Sequence, residues 1–393
     1  MNCPKASRIP LRHAKASAHV LTFGLALRLF DPQRSNGDNH IDLKREWYDE
    51  DHHRIHVDTS AAEAEAKLTL STVARAKVIY DSISGASPNG LPPPPGSNQV
   101  PVKELTDIRR AVEVELEQTW GLNALRPSFA YSIESDYESY AVGYTHSIEF
   151  NQKNTRVTIG AAGTFDKSFP RFVKHDYKKS GDWLLGVSQL LGPTTILTVN
   201  FSAGLAHGYL ADPYKRVHFT DYPDPNNAFQ ELRPRERVKE LGLLSLQQFV
   251  SPLRGSAELE YRLYHDSYGI WSHTAELNWR QKVGQRLLLS PMLRFYQQSA
   301  ASFYVTQLPG DPSCPVGNPL CPDVTIPTYY SADYRLSALH TWTYGLKATL
   351  LVTGNFSFDL AYKRYTMRGD DHVTSQSAYP SANILTGGLT IWF

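Results

Sequence analysis

Residues 382–393, with the sequence ANILTGGLTIWF, decide the fold predicted for this chain. Their apolar and polar residues alternate, which predicts a strand with one apolar and one polar face. A strand without charges that ends on an aromatic residue is typical of the closing strand of a bacterial outer-membrane barrel, where one face meets lipid. The alternative is the last strand of a soluble β-sandwich. In a barrel, three residues of the apolar face would form the outer-membrane insertion signal: Leu389, Ile391 and Phe393.

The composition is compatible with a barrel, although the mean hydropathy of −0.38 resembles that of a water-soluble protein. No run of about eighteen apolar residues occurs, so the sequence predicts no transmembrane helix. In a barrel only every second strand residue meets lipid, and polar loops lower the average further. The 22 tyrosines, 16 phenylalanines and 7 tryptophans suit strands and aromatic girdles. A formal net charge of +1 gives no indication of nucleic-acid binding.

Segments of alternating polarity follow one another over residues 39–393, and we count about sixteen strands. Short turns and long loops alternate between them, which predicts an all-β fold: a transmembrane antiparallel β-barrel with short periplasmic turns and long external loops. The longest alternation, over 330–352, predicts a strand that continues beyond the bilayer. The long loops are predicted at 84–106, 166–179, 210–234, 299–329 and 368–380.

The beginning of the chain differs from the rest. We assign residues 1–38 to a leader or a periplasmic N-terminal segment, and residues 39–393 to the barrel. A short apolar run over residues 20–27 follows four basic residues, and this order is that of a signal peptide cleaved near residues 24–26. The basic residues are Lys5, Arg8, Arg12 and Lys15.

Five short stretches carry a resemblance to a known family. They are WYDED at 47–51, YDSISGASP at 80–88, DPYK at 212–215, YHDSYGI at 264–270 and SADYRLS at 331–337. As a set they resemble an uncharacterised family of bacterial outer-membrane barrels that is catalogued as a domain of unknown function, number 3570. The stretches are spread over nearly the whole chain. The resemblance implies a barrel fold and a location in the outer membrane of a Gram-negative bacterium, and it implies no activity.

In several predicted strands, the alternate positions that carry polar residues also carry charged ones. In a barrel the side chains at these positions face the lumen. Opposed acidic and basic walls would set a transverse field that selects solutes. The same residues could instead pair into a network that fills and blocks the lumen, and the sequence leaves both alternatives open. The predicted lumen-facing residues are Glu113, Glu115, Glu117, Glu258, Glu260, Arg262, Arg294, Arg335, Lys347 and Asp359.

Carboxylates and imidazoles are concentrated near the first predicted hairpin. Asp49, Asp51, His52 and His53 supply donor types that bind divalent metals, which makes them candidate ligands. The competing interpretation is a solvated hairpin tip, where no buried groups orient the ligands.

Two cysteines lie seven residues apart in the predicted 299–329 loop. Cys314 and Cys321 would form a loop disulfide in an oxidising compartment. A metal site with two cysteines and no second pair is the less favoured alternative.

No enzyme is predicted, because the sequence contains no G-x-S-x-G, H-E-x-x-H or glycine-rich phosphate-loop motif. The polar lumen parity favours a porin-like channel for small polar solutes, with no cofactor. The alternatives are a plugged barrel that acts as a structural or assembly partner and, less favoured, a barrel hydrolase. The predicted partners are the lipid bilayer, the outer-membrane barrel-assembly machinery and small polar solutes, and the oligomeric state is open.

Overall fold

A computed structural model describes residues 39–169, 175–220, 228–311 and 326–393. Nineteen strands occur in these ranges, and sixteen of them form one closed antiparallel barrel. The other three, β10, β11 and β16, form a small separate sheet. In chain order the strands are β1 (His40–Glu50), β2 (Ile55–Lys67), β3 (Thr72–Pro88), β4 (Val102–Trp120), β5 (Asn123–Ile133), β6 (Tyr137–Phe150), β7 (Thr155–Ser168), β8 (Asp176–Gly192), β9 (Thr195–Gly208), β10 (Arg216–Phe219), β11 (Phe229–Gln230), β12 (Glu236–Val250), β13 (Gly255–Asp266), β14 (Trp271–Val283), β15 (Leu287–Gln298), β16 (Gln307–Leu308), β17 (Leu339–Thr353), β18 (Phe356–Gly369) and β19 (Ser381–Trp392).

The first and last strands close the barrel. β1 pairs antiparallel with β19 along its whole length, from His40 opposite Trp392 to Glu50 opposite Ala382. Each of the remaining barrel strands pairs with the barrel strands that precede and follow it in the chain. The strands β10, β11 and β16 do not belong to the barrel. Closure leaves no sheet edge with unpaired backbone groups, which is the condition for a sheet to cross a membrane. The predicted fold class and strand number are therefore confirmed.

The outer face of the barrel is apolar and the inner face is polar. Leu259, Leu277 and Leu293 lie side by side across β13, β14 and β15, and each is about half exposed. One residue further along β13, Glu260 faces the interior beside Glu276. Large apolar side chains on the outside reverse the arrangement of a water-soluble protein and match contact with lipid. No helix in the described ranges is long and apolar enough to cross a membrane.

The two ends of the barrel differ in their connections. At one end, here the turn end, all connections are two to four residues long, and β1 begins and β19 ends there. At the other end, the loop end, the connections range from the three residues 134–136 between β5 and β6 to the long segment between β15 and β17. The prediction of strict alternation is wrong at 51–54, 134–136 and 267–270, which are short although they lie at the loop end. Left-handed backbone at His52 and His53 makes the first of these reversals possible without a long loop.

Residues 330–352 do not form one strand, which corrects the longest sequence prediction. β17 begins only at Leu339, and a 3-10 turn occupies Tyr334–Leu336. The Asp333 side chain accepts a hydrogen bond from the backbone N–H of Arg335 and caps this turn. The loop predicted at 84–106 is also shorter, because β3 and β4 remain paired out to Pro88 and Val102.

Candidate functional site: a cap of charged loops

The two longest loop-end segments fold together. β10 pairs antiparallel with β11 and parallel with β16, so the β9–β12 and β15–β17 connections share one small sheet. The Phe219 ring is buried and meets the rings of Phe229 and Tyr330 edge-on, at centroid distances of 5.4 and 5.5 Å. We call the described residues of 209–235 and 299–338 the cap. It has an apolar core of its own.

Buried ion pairs hold the two halves of the cap together. Asp333 accepts hydrogen bonds from Arg335 Nη2 at 2.6 Å and from Arg233 Nη2 at 2.8 Å. Arg335 Nη2 also lies 2.6 Å from Asp212 Oδ2, and Arg233 Nε lies 2.7 Å from Glu231 Oε1. Asp333 and Glu231 are almost fully buried. Such pairs are strongly interdependent, because removing one partner leaves the other as an uncompensated buried charge.

Lys215 extends this network to the barrel strands. Its side chain is 2% exposed, and its Nζ donates to the carbonyl oxygen of Pro88, at the end of β3, at 2.5 Å. The ammonium also lies over the Tyr334 ring, 5.4 Å from the centroid. A buried ammonium requires such partners, so Lys215 joins the cap to the barrel wall.

The pKa values of the cap follow from its burial and charges. Burial lowers the pKa of Lys215 and raises the pKa of Glu231. Burial also tends to raise the pKa of Asp333, but Arg335 and Lys215 outweigh it and hold that pKa well below its usual value. Asp333 therefore stays ionised between its cations.

The cap is attached to other loop-end connections around the rim. The backbone N–H of Arg216 donates to the Asn89 carbonyl oxygen at 2.8 Å. The Tyr214 hydroxyl hydrogen-bonds to Asp136, which follows β5. Tyr304 and Thr374 hydrogen-bond through their hydroxyls at 2.5 Å, which links the cap to the β18–β19 connection. These attachments lie on the connections after β3, β5 and β18, whereas the β9–β12 part of the cap begins on the other side of the ring, so the cap extends across the mouth of the barrel.

The Tyr334 turn lies within the lumen at the loop end. Tyr334, Tyr296 of β15 and Met367 of β18 pack against the same buried cluster, which includes Leu339 and Tyr379. Tyr296 and Met367 both face the interior of the barrel, because each is paired with Thr341 of β17. Thr341 lies on the inward face of β17, together with Thr343 and Lys347. The cap is therefore an inward-folded structure that narrows the barrel.

The stretches that carry the family resemblance meet at this end of the barrel. DPYK supplies Asp212 and Lys215, SADYRLS supplies Asp333 and Arg335, and YDSISGASP ends on Pro88. YHDSYGI supplies Asp266, which pairs with Arg237 at the start of β12. WYDED crosses from β1 into the first loop-end turn, and its Asp51 pairs with Arg364 of β18. The sequence contained these signals, but it did not reveal that they converge.

Most of the residues predicted to face the lumen do so. Arg335 is the exception: it lies on a 3-10 turn in the cap, because the strand on which it was predicted begins four residues later. The residues on inward strand positions are Glu113, Glu115 and Glu117 of β4, Glu258, Glu260 and Arg262 of β13, Arg294 of β15, Lys347 of β17 and Asp359 of β18.

The inward charges pair locally, and they do not form one acidic and one basic wall. Arg75 of β3 binds Glu65 at 2.6 Å, Glu115 at 2.7 Å and Glu117 at 2.8 Å. Looser pairs occur elsewhere, such as Lys347 with Asp359 at 3.7 Å. The acidic groups on β4 and β13 lie nearly opposite each other around the ring. Two mixed patches, one around Arg75 and the glutamates of β4 and one on β13 to β15, together with further local pairs such as Glu149 with Arg156, therefore replace the predicted transverse field.

Small side chains predominate midway along the inner face of β5 to β9, while ion pairs lie nearer the strand ends, Glu149 with Arg156 towards the turn end and Asp166 with Lys178 towards the loop end. The small residues scarcely extend into the lumen, so this wall leaves space beside it. They include Ser128, Ala130, Ala141, Gly143, Gly160, Ala162, Gly186 and Ser202.

The structure does not gather the four candidate metal ligands into one site. Asp49 pairs with His56, their nearest atoms 2.5 Å apart, and Asp51 pairs with Arg364. His52 and His53 are exposed on the tight turn that separates these pairs. Within the described ranges, the group with ligand atoms close enough for a metal is Asp107, Glu134 and Asp136.

The remaining sequence predictions concern the cysteines and the closing strand. Cys314 and Cys321 lie outside the described residues, and the disulfide stays a prediction. Leu389 pairs with Leu43 and Phe358 on the outer face, and Ile391 is also exposed there. The backbone N–H of the exposed Phe393 donates to the Asn39 carbonyl oxygen at 2.9 Å. The role of these residues as an insertion signal stays a prediction.

A closed sixteen-stranded antiparallel barrel with an apolar outer face defines the class of the chain, the outer-membrane β-barrel fold. The chain belongs to the family described as "Protein of unknown function (DUF3570)", whose model matches residues 16–172 and 167–388. No match is found among curated proteins.

Solved structures share the fold at low sequence identity. The chain is similar to a "Bacterial polysaccharide outer membrane secretin", with a TM-score of 0.50 and 8% identity over 92% of this chain and 100% of that one. It is also similar to CdiB from Acinetobacter baumannii, with a TM-score of 0.51 and 8% identity over 92% of this chain and 61% of that one. At such identities the likeness concerns the fold alone.

Proposed function

We propose that this protein is a channel for small polar solutes in the outer membrane of a Gram-negative bacterium, with the turn end periplasmic and the cap at the external mouth. The observation that carries the proposal is the polar inner face of a sixteen-stranded ring. Rings of sixteen to eighteen strands are too wide for their side chains to fill and leave an aqueous channel.

The distribution of side-chain size supports a path along one wall. Glycine, alanine and serine predominate midway along β5 to β9, where long charged side chains such as Arg156 and Lys178 stand nearer the ends of the strands. Long charged side chains also stand on β3, β4 and β13 to β15. A solute would pass along the small-residue wall and meet the charged groups laterally. The cap would set the size limit at the external end.

Flux into proteoliposomes tests the proposal. Liposomes that contain the folded protein should swell in isotonic solutions of small sugars or amino acids, and swelling should slow as the solute becomes larger. Empty liposomes are the baseline. Swelling no faster than the baseline with every solute, in a preparation whose electrophoretic mobility shifts on heating, would refute the channel.

A second candidate function is a plugged barrel that serves as a structural or assembly partner. The buried ion pairs of the cap favour it, because they hold loops from two parts of the chain across the mouth. Co-purification of a stoichiometric partner with a non-conducting barrel would support this function. A conducting barrel that purifies without a partner would contradict it.

The charges beside Arg75 give a prediction on ion selectivity. Arg75→Gln removes the cation that pairs with Glu65, Glu115 and Glu117, so these carboxylates would attract cations into the channel. We expect the permeability ratio of K⁺ to Cl⁻ to rise at least about twofold, measured as a reversal potential across a salt gradient. Arg45→Gln is the matched control, since Arg45 pairs with Asp58 on the outer face. Equal reversal potentials in the two variants would contradict the inward location of the Arg75 cluster.

We propose transport without catalysis. Five histidines that could serve a hydrolase have outward strand positions, and their polar partners are residues other than serine. For example, His146 contacts Asn123 and His273 contacts Tyr261. The others, His207, His265 and His340, pair with carboxylates. Labelling of the folded barrel by a serine-directed fluorophosphonate probe would contradict this proposal.

We propose that the closing strand is recognised by the barrel-assembly machinery. Before β1 closes the barrel, the end of β19 would present Leu389, Ile391 and Phe393, which are on the exposed, apolar outer face in the folded barrel. Removing Phe393 should lower the amount of heat-modifiable protein in the outer-membrane fraction about tenfold, the scale of losing one aromatic anchor from a protein interface. Removing the whole segment 1–10 from the precursor while a reliable leader is supplied is the control. Unchanged yield without Phe393 would contradict the signal.

A further inference from the structure

A groove of about 520 Å³ lies on the outer wall of the barrel near the loop end. Three cross-strand pairs of β17 and β18 line it: His340 with Arg368, Trp342 with Thr366, and Tyr344 with Arg364. These side chains have the outward parity, so the groove faces the surroundings of the barrel and not its lumen. It is separate from the cap and the channel.

The chemistry of this wall changes with distance from the loop end. Below the groove, towards the turn end, the outward pairs are Leu346 with Tyr362, Ala348 with Leu360 and Leu350 with Phe358. The order is therefore cationic, then aromatic, then apolar. This is the order in which a lipid presents its headgroup, its interfacial region and its acyl chains to a membrane protein.

The cations at the top of the groove have different partners. Both terminal nitrogens of Arg364 bind Asp51, and His340 Nδ1 lies 2.7 Å from Asp370. Arg368 is exposed, and within the described parts of the chain no carboxylate lies in ion-pair distance of it. A solvent-accessible guanidinium at the membrane interface is suited to bind a phosphate through two parallel hydrogen bonds.

We propose that this groove binds the headgroup of a phosphate-bearing lipid of the external leaflet. The guanidinium of Arg368 binds a phosphate, and Thr366 supplies a hydroxyl beside it. Trp342 and Tyr344 pack against the sugar or glycerol region, and the acyl chains lie on Leu346 and Leu360. The inference rests on the proposed orientation of the barrel and is independent of channel activity.

Native mass spectrometry of the full-length barrel in detergent tests the site. The probes are lipid A with two phosphates and the same lipid with both phosphates removed. The wild-type protein should retain the phosphorylated lipid, and Arg368→Gln should weaken its binding about tenfold, the usual scale for a hydrogen bond between charged groups. Arg368→Lys should retain more binding than Arg368→Gln because it keeps the charge.

Arg110→Gln is the matched control. Arg110 is an exposed, outward residue in the loop-end half of β4, on another part of the wall, and its replacement should leave lipid binding unchanged. Equal retention of the dephosphorylated lipid, or equal binding by the Arg368→Gln and wild-type proteins, would overturn the proposal. Displacement of the lipid by inorganic phosphate alone would assign the site to a free anion and would overturn it as well. A heat-dependent mobility shift establishes that each variant is folded.

Discussion

Asp333→Asn is expected to open the cap while the barrel remains folded. Asp333 is 1% exposed and accepts hydrogen bonds from both Arg233 and Arg335. Replacing its charge takes the shared carboxylate from the largely buried Arg233, which keeps Glu231, and from the one-third exposed Arg335, which keeps Asp212. The expected cost is therefore about 3 kcal/mol, the lower end of the range for a broken buried ion pair. The population of open cap should therefore rise about 100-fold or more. Limited trypsin digestion measures it, because cleavage after Arg216 and Arg335, which precede the buried Val217 and Leu336, follows the open population when opening and closing are fast.

Glu236→Gln is the matched control for this measurement. Glu236 pairs with His207 at the same end of the barrel, but both side chains are largely exposed. Exposed pairs are screened by water and salt, so cleavage within the cap should change less than about fivefold. Similar cleavage rates in the Asp333→Asn and wild-type proteins would show that the ion pairs do not hold the cap closed.

Leu277→Arg should have the second largest effect, on the stability of the barrel in lipid. Leu277 lies at the middle of β14 on the outer face, between Leu259 and Leu293. A charged residue on the lipid face at the bilayer midplane costs about 2–4 kcal/mol. Urea unfolding of the protein in lipid vesicles, followed by the heat-dependent shift in electrophoretic mobility, should give a midpoint well below that of the wild type.

The neighbouring residue supplies the control. Asn278 faces the lumen, opposite Glu258 and beside Glu276. Asn278→Arg therefore places its charge among carboxylates and water, and we expect a midpoint close to that of the wild type. Equal destabilisation by the two substitutions would mean that the two faces of β14 do not differ in environment, which would contradict a membrane-spanning barrel.

The barrel could be predicted because its determinants are local. Each strand carries its own alternation, and a polar parity such as Glu113, Glu115 and Glu117 needs no distant partner to be recognised. The strand number follows from counting these segments. Closure then follows from physics, since a sheet in lipid cannot leave its edge strands unpaired.

The cap could not be predicted, because its contacts join residues far apart in the sequence. The pairs Asp212–Arg335 and Pro88–Lys215 are separated by more than one hundred residues. The alternation of polar and apolar residues along one strand gives no information about such contacts. The family-resembling stretches marked the residues involved, but a sequence motif gives no geometry until the fold brings its parts together.

Arg335 shows how a regular pattern can mislead. Residues 330–338 continue the alternation of β17, yet the segment turns inward at Asp333. The decisive signal is a capping interaction, in which the Asp333 side chain accepts from the N–H two residues further on. An aspartate within a segment of alternating polar and apolar residues can favour a turn over a strand. Its side chain accepts a hydrogen bond from a nearby backbone N–H, which would otherwise need a partner on a neighbouring strand.

Single-channel conductance in a planar bilayer tests the central claim most directly, with wild-type and Asp333→Asn proteins compared side by side. We predict small, well-defined openings for the wild type and clearly larger ones for Asp333→Asn, because the channel is intact and the cap limits it. Indistinguishable conductance in the two proteins would contradict the role of the cap. The absence of conductance from both, in preparations that are folded by their heat-dependent mobility, would contradict the channel itself.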